Sequence, residues 1–289
     1  MFENAKLRPS LRSLAALLFV AALVANVFFP ATPKRRLGAS AHGLAALGES
    51  LHLEFVTEGP KFPVKMRHGL IDGKAAPAAE IERYLKLFTP EFGLYPPSYV
   101  AKSGLKRVIF CQDLSFAGQL RTAIPDWDHD DLYLDVRRGA DKPDYVRKVI
   151  HHEFFHLVDL RDDGEVYRDD RWSALNPPGF KYGSGGRNAQ TVKGTASLSE
   201  SQPGFLNHYS TTGVEEDKAE IFANLVVDPA YVAGRAARDR VLADKAARMK
   251  DLVRRFCPEA NDAFWERARA SRIRDDGGTS RPMTQGAGK

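Results

Sequence analysis

One stretch of the sequence decides the fold: Val149-Ile150-His151-His152-Glu153-Phe154-Phe155-His156-Leu157-Val158-Asp159. His152 and His156 stand four residues apart, and positions i and i+4 lie on the same face of an α-helix. On a helix the two imidazoles project side by side toward one point, where their neutral nitrogens can bind one zinc ion. Glu153 lies about 100° further round the helix, beside the metal rather than on it, which suits a general base for a water molecule.

The flanking residues predict a helix that is buried in a core. Pro143 suits a first helical position, Asp144 suits the first turn, and neither Gly nor Pro follows before Arg161. Apolar residues lie on nearly all sides of this helix, namely Val146, Val149, Ile150, Phe154, Phe155, Leu157, Val158 and Leu160. The motif His-Glu-x-x-His by itself could also arise by chance, since a shuffled chain of this composition would produce it roughly once in a hundred cases.

A second helix is predicted downstream, starting near Gly213 and ending at Asp228-Pro229. Glu216 and Glu220 share one of its faces. A carboxylate from this helix would complete a set of two histidines and one glutamate, leaving the fourth position of a tetrahedral zinc ion to water. The apolar side that can pack against the first helix consists of Ala219, Phe222, Ala223 and Val226.

These residues together resemble a known family. The chain is similar to the catalytic domain of lethal-factor-type gluzincin metallopeptidases in the stretch 152–159 and at Tyr209, Glu216, Ala219, Glu220 and Phe222. The resemblance implies that His152, His156 and Glu216 bind a Zn²⁺ cofactor and that Tyr209 stabilises the transition state. It also implies an α+β fold of the zincin type, in which a small mixed sheet packs with the active-site helix and C-terminal helices.

The predicted activity is hydrolysis of the peptide bonds of a peptide or protein substrate by a zinc-activated water, with Glu153 as the general base. Glu220 or Asp159 is expected to orient a ligand histidine, with a mere helix-surface carboxylate as the alternative. The alternative function is a membrane-tethered zinc-binding or substrate-binding protein of the same fold without hydrolysis. An accidental motif in a secreted protein is a third interpretation. The presence of both Glu153 and Tyr209 favours the enzyme.

The N-terminus predicts a targeting segment. Residues 1–12 are basic and residues 13–29 are apolar without a charged residue, which is typical of a secretory signal or an N-terminal membrane anchor over 1–30. Phe28, Phe29 and Pro30 leave no clean cleavage site of small residues, so a retained anchor is favoured. Basic residues on both sides leave the orientation open. We expect a location in the cell envelope with an extracytoplasmic catalytic domain, or secretion.

The remaining chain predicts one domain with terminal extensions. Residues 31–48, rich in Ala, Gly and Pro, predict a linker, the catalytic domain is expected over 49–272, and 273–289 predicts a disordered tail. Helices are predicted over 77–92 and within 231–272. Strands are predicted at 51–56, 106–111 and 131–136, the last of them half-buried. The resemblance implies that a strand shortly before the histidine helix forms the sheet edge that pairs with substrate.

A long connection, 162–212, separates the two helices of the predicted site. Its first half mixes aromatic residues with turn formers and predicts an ordered loop packed over the domain. Its second half, 183–204, is rich in Gly, Ser and Thr and predicts mobility. Because so long a loop is uncommon in a compact domain without a role, we expect a lid or a substrate-contacting segment, with disorder without function as the alternative.

Composition bears on other classes of function. The chain of 289 residues has a formal net charge of +5, which favours an ordinary solvated basic surface, and no basic stripe interleaved with aromatics indicates nucleic acid. Cys111 and Cys257 form no Cys-x-x-Cys pair. Cys111 is predicted to be a small buried apolar residue, and a disulfide between the two cysteines stays open.

Other potential metal ligands are expected to be structural. The acidic segment 126–131 predicts a polar turn, because it lacks the Gly and Glu that an EF-hand calcium loop requires. His151 points about 100° away from His152 on the predicted helix, so it is not expected to join the metal. His129 and His208 are likewise expected to be structural or solvated.

Overall fold

The computed structural model describes residues 39–183, 185 and 197–275. Within them, a seven-stranded mixed sheet consists of β1 (Glu54–Val56), β2 (Val64–Met66), β3 (Gly69–Ala75), β4 (Arg107–Phe116), β5 (Gln119–Leu120), β6 (Ala123–Asp126) and β7 (Asp131–Asp135). The helices are α1 (Ala39–Leu51), α2 (Ala78–Phe92), α3 (Pro97–Ser103), α4 (Pro143–Asp163), α5 (Asp170–Ser173), α6 (Val214–Val227), α7 (Pro229–Ala236), α8 (Arg240–Phe256) and α9 (Asp262–Asp275). A 3-10 helix, Tyr209–Thr211, precedes α6.

Strand β4 lies at the centre of the sheet. It pairs in parallel with β1 and β7 and antiparallel with β3 and β5, while β2 and β6 continue the sheet beyond β3 and β7. Successive side chains of a strand point to opposite faces. Val108 and Phe110 therefore join the main core with the helices, whereas Ile109 and Cys111 join a smaller core on the other face. This two-sided burial explains the continuous apolar run of the strand.

The strand predicted at 131–136 is confirmed as β7, but the prediction that it is half-buried is wrong. Strand β7 lies between β4 and β6, and all 5 of its residues are buried. Its polar ends are buried because their charges are compensated. Asp131 accepts hydrogen bonds from the guanidinium of Arg107, and Asp135 accepts one from the backbone N–H of Leu114. The edge strand on this side is β6, which pairs with β7 alone among the described strands.

The prediction of a linker over 31–48 is wrong for residues 39–48, which form most of α1. Leu44 and Leu51 of this helix are buried, and Leu47 packs against the same core. These three leucines follow helical spacing, and the intervening glycines made the segment resemble a linker. The chain turns after α1, so the first strand begins at Glu54 rather than at 51.

Helices α4 and α6 pack against each other in the main core, as predicted. Helix α4 begins at Pro143 and ends before Gly164, whose φ of 83° is a left-handed conformation that glycine adopts without strain. Helix α6 begins after Gly213, and all of its residues are buried. Phe155 of α4 stacks on Phe222 of α6 with ring centroids 4.7 Å apart.

The C-terminal helices cover the outer side of α6. Helical structure within 231–272 is confirmed as α7, α8 and α9, and Trp265 of α9 contacts Phe222 with ring centroids 6.1 Å apart. Helix α9 extends to Asp275, into the predicted tail. The rest of that tail and the predicted targeting segment lie outside the described residues. In the part of the chain that is described, no helix is long and apolar enough to cross a membrane.

Candidate metal centre

Three buried side chains converge where α4 faces the first turns of α6. His152 Nε2 lies 3.0 Å from Glu216 Oε2 and 3.2 Å from His156 Nε2, and His156 Nε2 lies 3.6 Å from Glu216 Oε2. In a tetrahedral zinc site with bonds near 2.1 Å, neighbouring ligand atoms stand about 3.4 Å apart. The spacing of these three atoms therefore fits one zinc ion.

The electrostatics of the cluster also fit a cation. Burial opposes protonation of His152, but the carboxylates of Glu216 and Glu220 outweigh it and raise the pKa of His152 to about 10. Burial raises the pKa of Glu216, and hydrogen bonds from His152 and His156 reverse the effect and hold it well below its ordinary value. The site thus favours positive charge between its rings. Among the described residues, these three form the group of His, Cys, Asp and Glu side chains able to hold a metal ion.

Glu220 lies behind the cluster, beside the ring of one of its histidines. Its Oε1 lies 3.2 Å from His152 Nδ1, on the side of the ring away from Glu216. Lys148 Nζ and Asn207 Nδ2 donate to Glu220 Oε2 at 3.1 and 2.6 Å. Burial raises the pKa of Glu220, but Lys148 and His152 outweigh it and lower the pKa to about 2. Of the two carboxylates expected to orient a histidine, Glu220 is therefore in position, and it is buried rather than on the helix surface.

The other expected orienting carboxylate, Asp159, has a different role. It forms an ion pair with Lys218 of α6, and both side chains are almost completely buried. Within the described residues, no group donates to or accepts from His156 Nδ1. Asp159 thus stabilises the contact between α4 and α6 and does not hold a ring of the cluster.

Glu153 and Tyr209 both line the cleft that opens beside the cluster. Glu153 is half-buried, and burial raises the pKa of its carboxyl group. The hydroxyl of Tyr209 donates to Glu216 Oε1 at 2.8 Å, and its ring centroid lies 6.0 Å from that of His152. The structure therefore brings together all five residues that the sequence singled out.

The cleft has a volume of about 1040 Å³ and lies between the β6 edge of the sheet and the start of the long connection. Trp127 forms part of its wall, and its indole N–H donates to the carbonyl oxygen of His156 at 3.4 Å. The ring of Tyr167 meets that of Trp127 edge-on, 6.2 Å away, and is 66% exposed. Sequence reasoning missed both aromatics, because no spacing rule connects a turn residue with a loop residue forty positions later.

Asp217 anchors the other wall of the cleft. Its Oδ2 accepts hydrogen bonds from Trp172 Nε1 at 2.8 Å, from the hydroxyl of Tyr182 at 2.6 Å and from Lys245 Nζ at 2.7 Å. Trp172 is completely buried, so the first half of the long connection is ordered and packed, as predicted. Several residues of its beginning, among them Tyr167, line the cleft. Residues 184 and 186–196 lie outside the described residues, and a lid function of the connection stays a prediction.

The remaining histidines stay away from the cluster, as predicted. His151 is buried on the opposite side of α4, where its ring contacts the hydroxyl of Tyr95 and the carboxylate of Glu91, and burial lowers its pKa. His129 contacts Asp126, whose carboxylate also caps the turn that follows β6. His208 is exposed.

The two cysteines are both free and buried. Cys111 lies in the smaller core, which confirms its prediction as a small apolar residue. Cys257 Sγ lies 3.3 Å from the hydroxyl of Ser98, so it is engaged in a different part of the molecule. The question of a disulfide is thus settled in favour of two thiols.

Comparison with known proteins gives a likeness of fold. No model of a known protein family matches the sequence, and no significant match is found among curated proteins. Among solved structures, the chain is similar to one described as a "putative zinc-binding metallo-peptidase" from Bacteroides caccae, with a TM-score of 0.54 and 14% identity, over 83% of this chain and 94% of that chain. The chain therefore has a metallopeptidase-like fold. The likeness does not single out the lethal-factor type.

Proposed function

We propose that the protein is a zinc-dependent metallopeptidase in which His152, His156 and Glu216 bind the metal. One observation carries the proposal: three ligand atoms from two helices lie 3.0 to 3.6 Å apart at the wall of an open cleft. A zinc ion held there would supply Lewis acidity, which makes water acidic near neutral pH and polarises a carbonyl group. The fold likeness supports this class of chemistry.

The residues around the cluster support hydrolysis. Glu153 accepts the proton of the attacking water, and its raised pKa suits a group that then passes the proton to the leaving amine. Tyr209 donates its hydroxyl hydrogen to the carbonyl oxygen of the substrate as that oxygen gains negative charge. Glu220 Oε1 lies 3.2 Å from His152 Nδ1, and its charge favours the ring orientation that leaves Nε2 for the metal.

An extended peptide fits the edge of the sheet. Strand β6 pairs with β7 on one side only among the described strands, and its residues Ala123, Ile124 and Pro125 line the cleft. A substrate can add there as a further strand, although Pro125 offers no N–H. This placement would bring the backbone of the substrate past Glu153.

The sequence pattern carries the finer parts of the proposal. Tyr209, seven residues before Glu216, and the spacing Glu216-x-x-Ala219-Glu220-x-Phe222 support the lethal-factor type. The apolar run of residues 13–29 supports attachment to or passage through a membrane, with the domain outside the cytoplasm.

The test combines metal content with cleavage of a broad peptide library. The purified protein should hold one equivalent of zinc by elemental analysis and cleave peptides in a chelator-sensitive manner. Glu153→Gln should keep the zinc and lose turnover, while Glu266→Gln, which alters an exposed carboxylate of α9 away from the cleft, should change neither. Protein without stoichiometric zinc, or Glu153→Gln with wild-type turnover, would overturn the proposal. Bound zinc without any cleavage would favour the tethered binding protein.

A further inference from the structure

Glu215, the residue before the proposed ligand Glu216, has an unusual setting. It is only 6% exposed, and it lines the cleft together with Glu153, Tyr209 and Glu216. No side chain among the described residues forms a hydrogen bond or ion pair with its carboxylate. Its neighbours are two glycines: a Cβ at Gly213 would lie 2.3 Å from Glu215 Oε1, and one at Gly185 would lie 3.5 Å from it. The carboxylate therefore occupies space that a side chain at Gly213 would fill, and it lies within ordinary van der Waals reach of Gly185.

The other buried carboxylates in this part of the molecule all have a cation or ring nitrogen as partner. Buried charges are ordinarily paired, because desolvation without a partner is costly. The pairs are Glu216 with the two imidazoles, Asp217 with Lys245, Glu220 with Lys148, and Asp159 with Lys218. Glu215 departs from this pattern, and its side chain faces the space that a substrate would fill.

Two alternative explanations account for less. An acidic residue in the first turn of a helix is favoured by the helix dipole, but Asp217 lies in the same turn and still has Lys245 as a partner. Arg168 and Arg121 also line the cleft, but Arg168 pairs with Asp170 and Arg121 donates to Gln119. The carboxylate accepts a hydrogen bond from its own backbone N–H, which carries no net charge, so a cationic partner for Glu215 is expected at the cleft.

We propose that Glu215 determines specificity by binding a cationic nitrogen of the substrate. This inference rests on the proposed peptidase function and names the substrate class. The cation is either the side chain of a lysine or arginine close to the scissile bond or a free α-amino group. Proximity follows from the chain, because Glu215 and Glu216 are consecutive and their Cα atoms are about 3.8 Å apart. The aromatic wall of Trp127 and Tyr167 leaves room on the other side for apolar substrate residues.

The first experiment needs no variant. Matched N-acetylated peptides carry lysine, arginine, glutamine or norleucine in turn at each position flanking the cleaved bond, and a second series of neutral peptides has free or acetylated N-termini. If Glu215 binds a lysine or arginine side chain, the cationic peptides of the first series should be cleaved faster than the neutral ones. If Glu215 binds an α-amino group, the peptides with free N-termini should be cleaved faster than the acetylated ones. We expect kcat/KM to rise about tenfold or more for the cationic member of one series. Equal rates in both series would overturn the inference while leaving the peptidase function standing.

The second experiment assigns the preference to Glu215. Glu215→Gln should lower kcat/KM for the preferred cationic peptide about ten- to a hundredfold and leave the norleucine or acetylated peptide nearly unchanged. Gly213→Ala should have the same selective effect without removing the charge, because its methyl group displaces the carboxylate. Zinc content is measured for each variant, and Glu266→Gln, which alters an exposed carboxylate of α9 away from the cleft, serves as the control. A uniform loss for all peptides at full zinc content would contradict the inference.

A binding measurement separates this inference from the peptidase function. In a Glu153→Gln background, calorimetry compares the affinity of a cationic and a neutral peptide with and without Glu215→Gln. Selective weakening of the cationic peptide supports the role of Glu215 even in the absence of turnover. If the wild-type protein cleaves nothing but shows this selective binding, the proposed function fails and the binding site stands.

Discussion

Lys218 of α6 and Asp159 of α4 form an ion pair in which each side chain is only 1% exposed. Asp159 lies three residues beyond His156, and Lys218 lies two residues beyond Glu216. Asp169, in the long connection, approaches the same ammonium group at 3.3 Å. The pair therefore joins the two helices that carry the proposed ligands. Through Asp169, the same lysine also contacts the long connection that lines the cleft.

Removal of this lysine should be costly. Lys218→Met leaves Asp159 buried without its cation, so we expect the free energy of unfolding to fall by about 3 to 5 kcal/mol. Urea unfolding followed by circular dichroism measures the change. The control is Arg254→Met, which breaks an exposed pair with Asp251 and should cost less than about 1 kcal/mol. Equal losses in the two variants would contradict a stabilising role of the buried pair.

Metal content should distinguish Glu216 from Glu220. His152→Ala and Glu216→Ala each remove a proposed ligand atom and should yield protein without stoichiometric zinc. Glu220→Ala removes only the carboxylate beside His152 Nδ1, so zinc should bind about ten- to a hundredfold more weakly. Competition with a chelating dye gives the affinities. If Glu220→Ala loses the metal while Glu216→Ala keeps it, the ligand is assigned one helical turn too early.

The hydroxyl of Tyr209 should act on the rate and not on the metal. Tyr209→Phe keeps the ring and removes the O–H that now donates to Glu216. We expect kcat to fall about a hundred- to a thousandfold, with little change in KM and unchanged zinc content. Tyr167→Phe is the matched control, because it removes a hydroxyl from an exposed cleft tyrosine. An unaltered kcat in Tyr209→Phe would remove this residue from the chemistry.

Acid should weaken the protein through Glu91. Burial raises the pKa of Glu91, but Arg272 and His151 outweigh it and lower the pKa from 4.5 to about 2. A carboxyl whose pKa is lower in the folded protein stabilises the fold above its unfolded pKa, and this contribution disappears as the pH falls through 4.5 toward 2. The shift corresponds to about 3 kcal/mol. Unfolding free energies of wild type and Glu91→Gln should differ at neutral pH and converge in acid; a gap independent of pH would contradict this assignment.

Local patterns predicted much of the proposed site. The interval between His152 and His156 defines a shared helix face, and the acidic first turn of α6 lies next to Gly213, so both helices and the two histidines follow from short stretches. The choice of Glu216 over Glu220 as third ligand came from the resemblance. The placement of Glu220 behind His152 also follows from helical spacing, since Glu216 and Glu220 lie one turn apart. These features depend on residues that are close in sequence.

Features that depend on distant segments could not be predicted in this way. Strand β7 alternates polar and apolar residues, yet its aspartates are buried because Arg107 and backbone N–H groups from β4 compensate them. Helix α1 contains Gly43 and Gly48, and only its contact with the core shows that it is not a linker. Glu215 is indistinguishable in sequence from an ordinary solvated acid at a helix start, because its burial at the cleft depends on segments that are distant in sequence.

The three donors to Asp217 bear on how a substrate enters. Trp172 and Tyr182 donate hydrogen bonds to Asp217 in the first turn of α6. Lys245 of α8 donates to the same carboxylate oxygen. This side of the cleft should be rigid, because an outward movement would leave the buried carboxylate of Asp217 without its hydrogen-bond donors. On the stretch between Gly164 and Asp169, by contrast, Tyr167 is 66% exposed, so we expect any widening of the entrance to occur on that side.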